Sequence, residues 1–177
     1  MLDIQNSVFV IIDIQEKLVN AVGKYSPVVP ACKLVKAASI LGIPVIVTEQ
    51  YPKGLGETVL ELKEVLNASP IEKTSFSACL TPEFLDALTS TGRKQVVICG
   101  IEAHICVYQT ICDLLEQGYE VYFVKDASAS RKKCEFETGV ELIKQVGAKV
   151  TCTEIVLFEL LKTAGHPDFK QVQALIK

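Results

Sequence analysis

The chain has 177 residues and a formal net charge of −3, and 49% of its residues are hydrophobic. This composition excludes a disordered chain, and the length suits one domain, so we expect a single domain over residues 1–177. The charge gives no reason to expect nucleic acid or an anionic membrane as a partner, and no apolar run approaches the ~20 residues of a membrane span. No secretory signal is visible at the N-terminus, which predicts a cytoplasmic protein.

Short apolar runs rich in valine and isoleucine predict the strands. They lack polar alternation, which is typical of parallel strands that helices cover on both faces. They lie at 7–12, 43–47, 95–99, 120–124 and 149–151, with a weaker candidate at 69–76.

Helical patterns separate these strands, and they lie at 31–41, 81–91, 104–117, 135–146 and 166–177. Thr81 and Pro82 are typical of a helix start, whereas 104–117 is apolar on nearly every side and predicts a central buried helix. Strands that alternate with helices through short glycine-bearing loops predict right-handed βαβ units. We therefore expect an α/β domain in which a doubly wound parallel sheet lies between two layers of helices.

The seven cysteines are spread along the chain and form no CxxC pair. Because no secretory signal is visible, we interpret them as thiols rather than as disulfides. Most of them are expected to be small buried apolar groups.

Three ionisable residues follow strands and are candidates for a site. Ligands of a doubly wound sheet bind beyond the carboxyl ends of its strands, where strand order reverses. Asp13 follows the first strand, Lys73 ends the third candidate strand, and Cys106 follows the fourth. Taken singly, Asp13 could be a turn former, Lys73 a solvent-facing lysine and Cys106 a core thiol. Together they favour a nucleophile, because a helix N-terminus and an ammonium lower the pKa of a thiol and a carboxylate can take its proton.

The segments around these residues carry a resemblance to a known family. Three segments of this chain resemble the signature segments of the isochorismatase-like cysteine hydrolases: VIIDIQ, EKTSFS and CGIEAHICVYQT. Two further segments resemble the branch called isochorismatase domain-containing proteins: TEQYPKGLGETV and HPDFKQVQALIK. The resemblance covers nearly the whole chain. It implies a six-stranded parallel sheet and a catalytic triad of Asp13, Lys73 and Cys106. It also implies a cis peptide bond between Ile101 and Glu102, which would aim the N–H of Glu102 towards that of Cys106 and form an oxyanion hole.

The resemblance implies a cysteine hydrolase that cleaves an amide-like C–N bond of a small-molecule substrate through a thioester. Asp13 would act as the base, and Lys73 would hold its carboxylate. Gln15 is a candidate contact for substrate or water, and Tyr51 is a candidate apolar wall, unless its loop is an ordinary surface loop. The alternative is a binding or scaffold protein, or a redox sensor, in which the triad is idle.

Metal and cofactor sites are not expected. Nicotinamidases, a related branch, bind a metal through an aspartate and two histidines after the second strand, whereas the corresponding TEQYPKGLGET contains no histidine. The chain has only His104 and His166, which lack metal-ligand spacing, and we interpret His104 as a helix-start or packing residue. The single GLG at 54–56 is too short for a dinucleotide loop.

Homo-oligomerisation is expected because the chain is apolar for its size. Phe169, Val172 and Ile176 form a stripe that could pack on a second copy or on the same chain. The basic run at 131–133 is interpreted as a solvated helix end, with a substrate carboxylate or a subunit contact as the alternatives.

Overall fold

The computed structural model describes residues 1–177 and contains a six-stranded, all-parallel sheet with helices on both faces. The order of its strands is β3-β2-β1-β4-β5-β6, which confirms the doubly wound α/β fold. The strands are β1 (Ser7–Ile12), β2 (Val45–Gln50), β3 (Ile71–Lys73), β4 (Gln95–Ile101), β5 (Glu120–Ala129) and β6 (Lys149–Thr151).

Nine helices connect and follow these strands. The longest, α2 and α7, are typical crossover helices, whereas α3 and α4 are single turns in the connection between β2 and β3. The helices are α1 (Glu16–Val22), α2 (Val28–Leu41), α3 (Pro52–Leu55), α4 (Leu60–Lys63), α5 (Pro82–Ser90), α6 (Tyr108–Glu116), α7 (Lys133–Gln145), α8 (Thr153–Leu161) and α9 (Phe169–Ala174).

Strand β1 is central and apolar on both faces because helices cover it from both sides. Phe9 and Ile11 pack into the core under α2, α8 and α9, whereas Val8, Val10 and Ile12 pack into the core under α5 and α6. All of these side chains are at most 1% exposed. Burial of this kind explains why the strand has no polar alternation.

The carboxyl ends of β1 and β4 come unusually close at Gly100. Its φ of +139° belongs to the region that favours glycine, and a Cβ there would lie 1.9 Å from the carbonyl oxygen of Ile12. Ile12 also pairs with Thr48 of β2 on its other side. Strand order reverses between β1 and β4, so this contact fixes the crevice at which a ligand site is expected.

The structure differs from the sequence predictions at element ends. β5 continues to Ala129, and the pairing of β4 with β5 shifts register between Ile98 and Gly100. The helix predicted over 104–117 begins instead as a π-helical turn, Ala103–Val107, before α6. Thr81 precedes α5, but its side chain does not cap the helix.

The C-terminal stripe packs on its own chain. Val172 is 1% exposed, and Phe169 and Ile176 pack against the core on the same face as α2 and α8. The stripe is therefore not a free surface for a second copy. All seven cysteines are free thiols, as predicted, and none of the helices has the length and apolar character needed to cross a membrane.

Candidate active site

Asp13 lies directly after β1 and is completely buried. Its backbone has φ +52°, a left-handed conformation that the short polar side chain of aspartate tolerates better than most. The hydroxyl of Thr48 donates to Oδ1 at 2.7 Å, and the ammonium of Lys73 lies 2.7 Å from Oδ2. Residues of β2 and β3 therefore hold both carboxylate oxygens of Asp13 in place.

Lys73 ends β3 and is not a solvent-facing lysine, since its side chain is 0% exposed. Its Nζ donates to Asp13 and also lies 2.7 Å from Oε1 of Gln50. The carbonyl oxygens of Ser75 and Phe76 each lie 3.3 Å from the same Nζ. The buried positive charge is thus surrounded by four acceptors, which is the condition for keeping such a charge inside a protein.

Cys106 lies on the π-helical turn after β4 and is 6% exposed. The carboxylate of Asp13, the ammonium of Lys73 and the backbone N–H of Glu102 all act on the pKa of its thiol. The structure therefore brings together the three residues that the sequence singled out, from β1, β3 and the end of β4.

The pKa of Cys106 moves in the direction opposite to the one expected from the sequence. Burial, and then the charge of Asp13, raise the pKa of the thiol to about 12, and these effects outweigh the opposing ammonium of Lys73. Burial likewise raises the pKa of Asp13, although Lys73 and Thr48 oppose this rise. The resting site holds a neutral thiol beside a carboxylate of increased basicity, not a preformed thiolate.

Glu102 uses its side chain to hold the loop after β5. One carboxylate oxygen lies 2.7 Å from Nε of Arg131, and the other accepts the backbone N–H of Arg131 at 3.1 Å. The peptide bond between Ile101 and Glu102 is cis. Because Arg131 is engaged with Glu102, it is not a free cation for a substrate carboxylate.

Gln15 is the candidate contact for substrate or water, and the structure shows its amide bound to the loop after β2. The side chain is 0% exposed, and its Nε2 donates to the carbonyl oxygens of Gln50 at 3.0 Å and Gly56 at 2.6 Å. Its Oε1 accepts the backbone N–H of Gln50 at 2.8 Å. Both amide hydrogens are therefore used, and the residue holds the loop after β2 instead.

Tyr51 stays accessible and lines a cavity of about 450 Å³ beside Lys73. The residue is 55% exposed, and its ring covers Gly54, where a Cβ would lie 2.4 Å from Cδ1. Ser75 and Leu80 line the same cavity. Cys106 does not line this cavity, so Tyr51 is a wall of a space beside the lysine rather than a group that touches the sulfur.

The ion pair has two further partners: Thr48, which the sequence interpretation missed, and Gln50, which it placed after the second strand without assigning a role. Both belong to β2, which lies between β1 and β3 and therefore passes beside Asp13 and Lys73. The sequence signal was available, because polar residues interrupt an apolar run at VTEQ. Glu49 between them accepts the N–H and the hydroxyl of Thr58, each at 2.6 Å, and so is used in holding the loop.

A second group of ionisable residues, Glu102, His104 and Glu135, has ligand atoms within 4.8 Å of one another. Each already has a protein partner. Nδ1 of His104 lies 2.9 Å from the hydroxyl of Ser130, Glu135 pairs with Lys132, and Glu102 pairs with Arg131. These contacts agree with a packing role for His104 and describe a network of ion pairs.

Comparison with known proteins identifies the family of the chain. A family model described as Isochorismatase domain matches residues 7–155. Isochorismatase domain-containing protein 2 of Danio rerio is 42% identical, over 99% of this chain and 89% of that protein.

Two solved structures are also similar. The MAR1 ribonuclease from Caenorhabditis elegans has a TM-score of 0.93 at 42% identity, covering 99% of this chain and 91% of that one. YcaC from Pseudomonas aeruginosa, solved with covalent acrylamide, has a TM-score of 0.91 at 26% identity, covering 99% and 89%. The chain therefore belongs to the isochorismatase family.

Proposed function

We propose that this chain is a metal-independent cysteine hydrolase that cleaves a small amide-like C–N bond through a thioester. Its family relationship supports a hydrolase. The observation that carries the proposal is the buried ion pair of Asp13 and Lys73, 2.7 Å apart, beside the Cys106 thiol at the β1/β4 crevice. A nucleophile with a base in reach, and a third group that orients the base, is the arrangement required for covalent catalysis.

In the first step, the sulfur of Cys106 attacks the carbonyl carbon while Asp13 takes the thiol proton. A C–S bond forms, and the electron pair of the C=O bond moves to oxygen. Because burial raises the pKa of Cys106 to about 12, a base that takes the proton during the attack favours this step. The raised pKa of Asp13 makes its carboxylate a better base for this task.

In the second step, the C–N bond breaks and the leaving nitrogen takes the proton from Asp13, which leaves a thioester on Cys106. Asp13 then takes a proton from water as the water oxygen attacks the thioester. The C–S bond breaks, and the sulfur recovers the proton. The sum is one amide and one water converted into one carboxylic acid and one amine.

The developing oxyanion would accept hydrogen bonds from the backbone N–H groups of Glu102 and Cys106. The backbone N–H of Glu102 lowers the pKa of Cys106, which supports a position of this N–H near the sulfur. The contacts between Glu102 and Arg131 would keep that peptide group in place. Fixed donors of this kind typically contribute ~10²–10³-fold to kcat.

A small molecule is the favoured substrate class. Cys106 is 6% exposed, and the cavity beside Tyr51 and Lys73 measures about 450 Å³, which suits a small ligand. The acrylamide held covalently in YcaC from Pseudomonas aeruginosa is itself a small amide, which supports a nucleophile that reacts with molecules of this size.

RNA is a less favoured substrate, although the similar protein from Caenorhabditis elegans is called a ribonuclease. This chain has a net charge of −3, and Arg131 and Lys132 are paired with acidic side chains. RNA binding generally needs a basic surface that follows the phosphate backbone.

The alternative is a binding or scaffold protein, or a redox sensor, with an idle triad. Redox-sensing cysteines are exposed and have a low pKa. The burial of Cys106 and its raised pKa argue against that role. A binding role is separated from catalysis by whether amine is released.

The test is release of ammonia or amine from a panel of small amides, with a short RNA as a further substrate. We expect turnover of at least one amide by the unmodified protein, none by Cys106→Ala, and unchanged turnover by Cys134→Ala, which removes an exposed thiol. Retained turnover in Cys106→Ala would contradict the nucleophile role, and cleavage of RNA alone would contradict the substrate class.

The remaining proposals concern organisation and location. We propose one hydrolase domain over residues 1–177, since α9 packs on the common core. Homo-oligomerisation no longer has the support of the C-terminal stripe and stays a prediction, which a solution mass near 19.4 kDa would contradict. A cytoplasmic location also stays a prediction.

A further inference from the structure

We propose that Thr110 is a positioning residue that fixes the turn carrying Cys106 relative to the segment that follows Lys73. The inference rests on the proposed function and deepens it. Thr110 is 0% exposed and lies in α6, four residues after Cys106. It therefore touches neither solvent nor the cavity lined by Tyr51.

The hydroxyl of Thr110 joins two segments that are distant in sequence. It donates to the carbonyl oxygen of Cys106 at 2.7 Å and accepts the backbone N–H of Ala78 at 3.0 Å. Ala78 begins a short 3₁₀ turn, Ala78–Leu80, only five residues after Lys73. One oxygen atom thus connects the nucleophile's own peptide unit to the loop behind the lysine.

That loop also holds the ammonium of Lys73. Nζ of Lys73 lies 3.3 Å from the carbonyl oxygens of Ser75 and Phe76. A second link runs from the hydroxyl of Ser77 to the carboxylate of Asp113, one turn further along α6. The thiol of Cys79 also lies 3.9 Å from the carbonyl oxygen of Thr110, so the loop is attached to α6 at three points, and Lys73 in turn holds Asp13.

The double contact distinguishes Thr110 from an ordinary helical threonine. Thr89 in α5 also donates to the carbonyl four residues earlier, Leu85, at 2.7 Å, but no N–H donates to it. Only a hydroxyl can donate and accept at once, so valine, which has nearly the same shape, removes both links. The buried N–H of Ala78 would then lack a partner.

Loss of this link should act on the chemical step. The turn with Cys106 and the loop with Lys73 would be free to shift relative to each other, which disturbs the proton path between Cys106 and Asp13. A misplacement of about 1 Å can lower a rate by about 100-fold. We therefore expect Thr110→Val to lower kcat by about 10- to 100-fold. We expect KM to rise as well, because Ser75 and Leu80 of the released loop line the cavity.

The experiment compares four variants for kcat and KM on the best amide substrate. Thr110→Val is compared with the unmodified protein, and Thr110→Ala with Thr110→Ser, a pair that differs only in the hydroxyl. We expect the serine variant to recover most of the kcat that the alanine variant loses. Thr89→Val is the matched control and should not change kcat. Equal kcat in the alanine and serine variants, or a loss in KM alone, would overturn the proposal.

Iodoacetamide labelling separates this inference from the proposed function, because it needs no turnover. The rate of labelling at Cys106, measured by mass spectrometry, depends on the position of Asp13 and Lys73 around the sulfur. We expect this rate to change in Thr110→Val and to be restored in Thr110→Ser, even if no amide is hydrolysed. Unchanged labelling together with unchanged kcat would overturn the positioning role and leave the hydrolase proposal standing.

Discussion

Two groups of ionisable side chains lie at the carboxyl ends of the strands, and they differ in burial. The side chains of Asp13 and Lys73 are both 0% exposed, whereas in the second group Glu135 is 32%, His104 19% and Glu102 6% exposed. In the first group burial raises the pKa of both Asp13 and Cys106. In the second, ion pairs with Lys132 and Arg131 satisfy the acids. Side chains lie close together in both groups, so what distinguishes the first group is the exclusion of water from its ion pair.

The largest expected effect follows from replacing the base. Asp13→Asn keeps the shape of the side chain but cannot take the thiol proton, so we expect amide turnover to fall by about 10²- to 10⁴-fold. Retained turnover in Asp13→Asn would show that Asp13 has another role.

Removing the ammonium tests the burial of the first group. Lys73→Met leaves the buried carboxylate of Asp13 without its counter-charge, which should lower the free energy of unfolding by about 3–5 kcal/mol. Arg131→Met is the matched control. Glu102 would still accept the backbone N–H of residue 131, and the guanidinium that is lost is half exposed. We expect Arg131→Met to lower the free energy of unfolding, measured in urea, by about 1 kcal/mol or less. Equal losses would remove the distinction between the two groups.

Gly100 tests the contact that forms the crevice. In Gly100→Ala, the added Cβ meets the Ile12 carbonyl oxygen at 1.9 Å, so the end of β4 must move away from β1. We expect the free energy of unfolding to fall by about 3 kcal/mol or more. Gly92→Ala is the control, since Gly92 also has positive φ but no atom within 4 Å of the added Cβ. Its expected loss is about 1–2 kcal/mol, and a similar loss at both positions would contradict the steric explanation.

The smallest effect concerns pH. Asp13 must be ionised to accept the thiol proton, and burial raises its pKa. Activity is therefore lost as the pH falls through a pKa that lies above the usual range of aspartate, and it is retained above that pKa. The measurement is kcat/KM against pH, and the acid limb should disappear from the residual activity of Asp13→Asn. An acid limb at or below the ordinary pKa of an aspartate would contradict the proposed effect of burial.

The sequence predicted the sheet and the meeting of the candidate residues because both depend on simple patterns. Uninterrupted apolar runs indicated parallel strands, and the position of Asp13, Lys73 and Cys106 after strands placed them at one edge. The resemblance to the family pointed to the same three residues. These features need only the order of residues along the chain.

Other features depend on contacts between distant segments and could not be predicted in this way. Gln15 follows Asp13 at a promising position, but its amide is used by the loop after β2. The pKa of Cys106 was predicted in the wrong direction, because a helix N-terminus was weighed and burial was not. Thr110 carried no signal, since its role depends on Ala78, 32 residues earlier in the chain.

The most direct test of the mechanism is the mass of the protein quenched in acid during turnover of an amide. The mechanism predicts one added acyl group, located on the peptide that contains Cys106 and released by hydroxylamine, as expected of a thioester. An acyl group located on any other residue during turnover would contradict it.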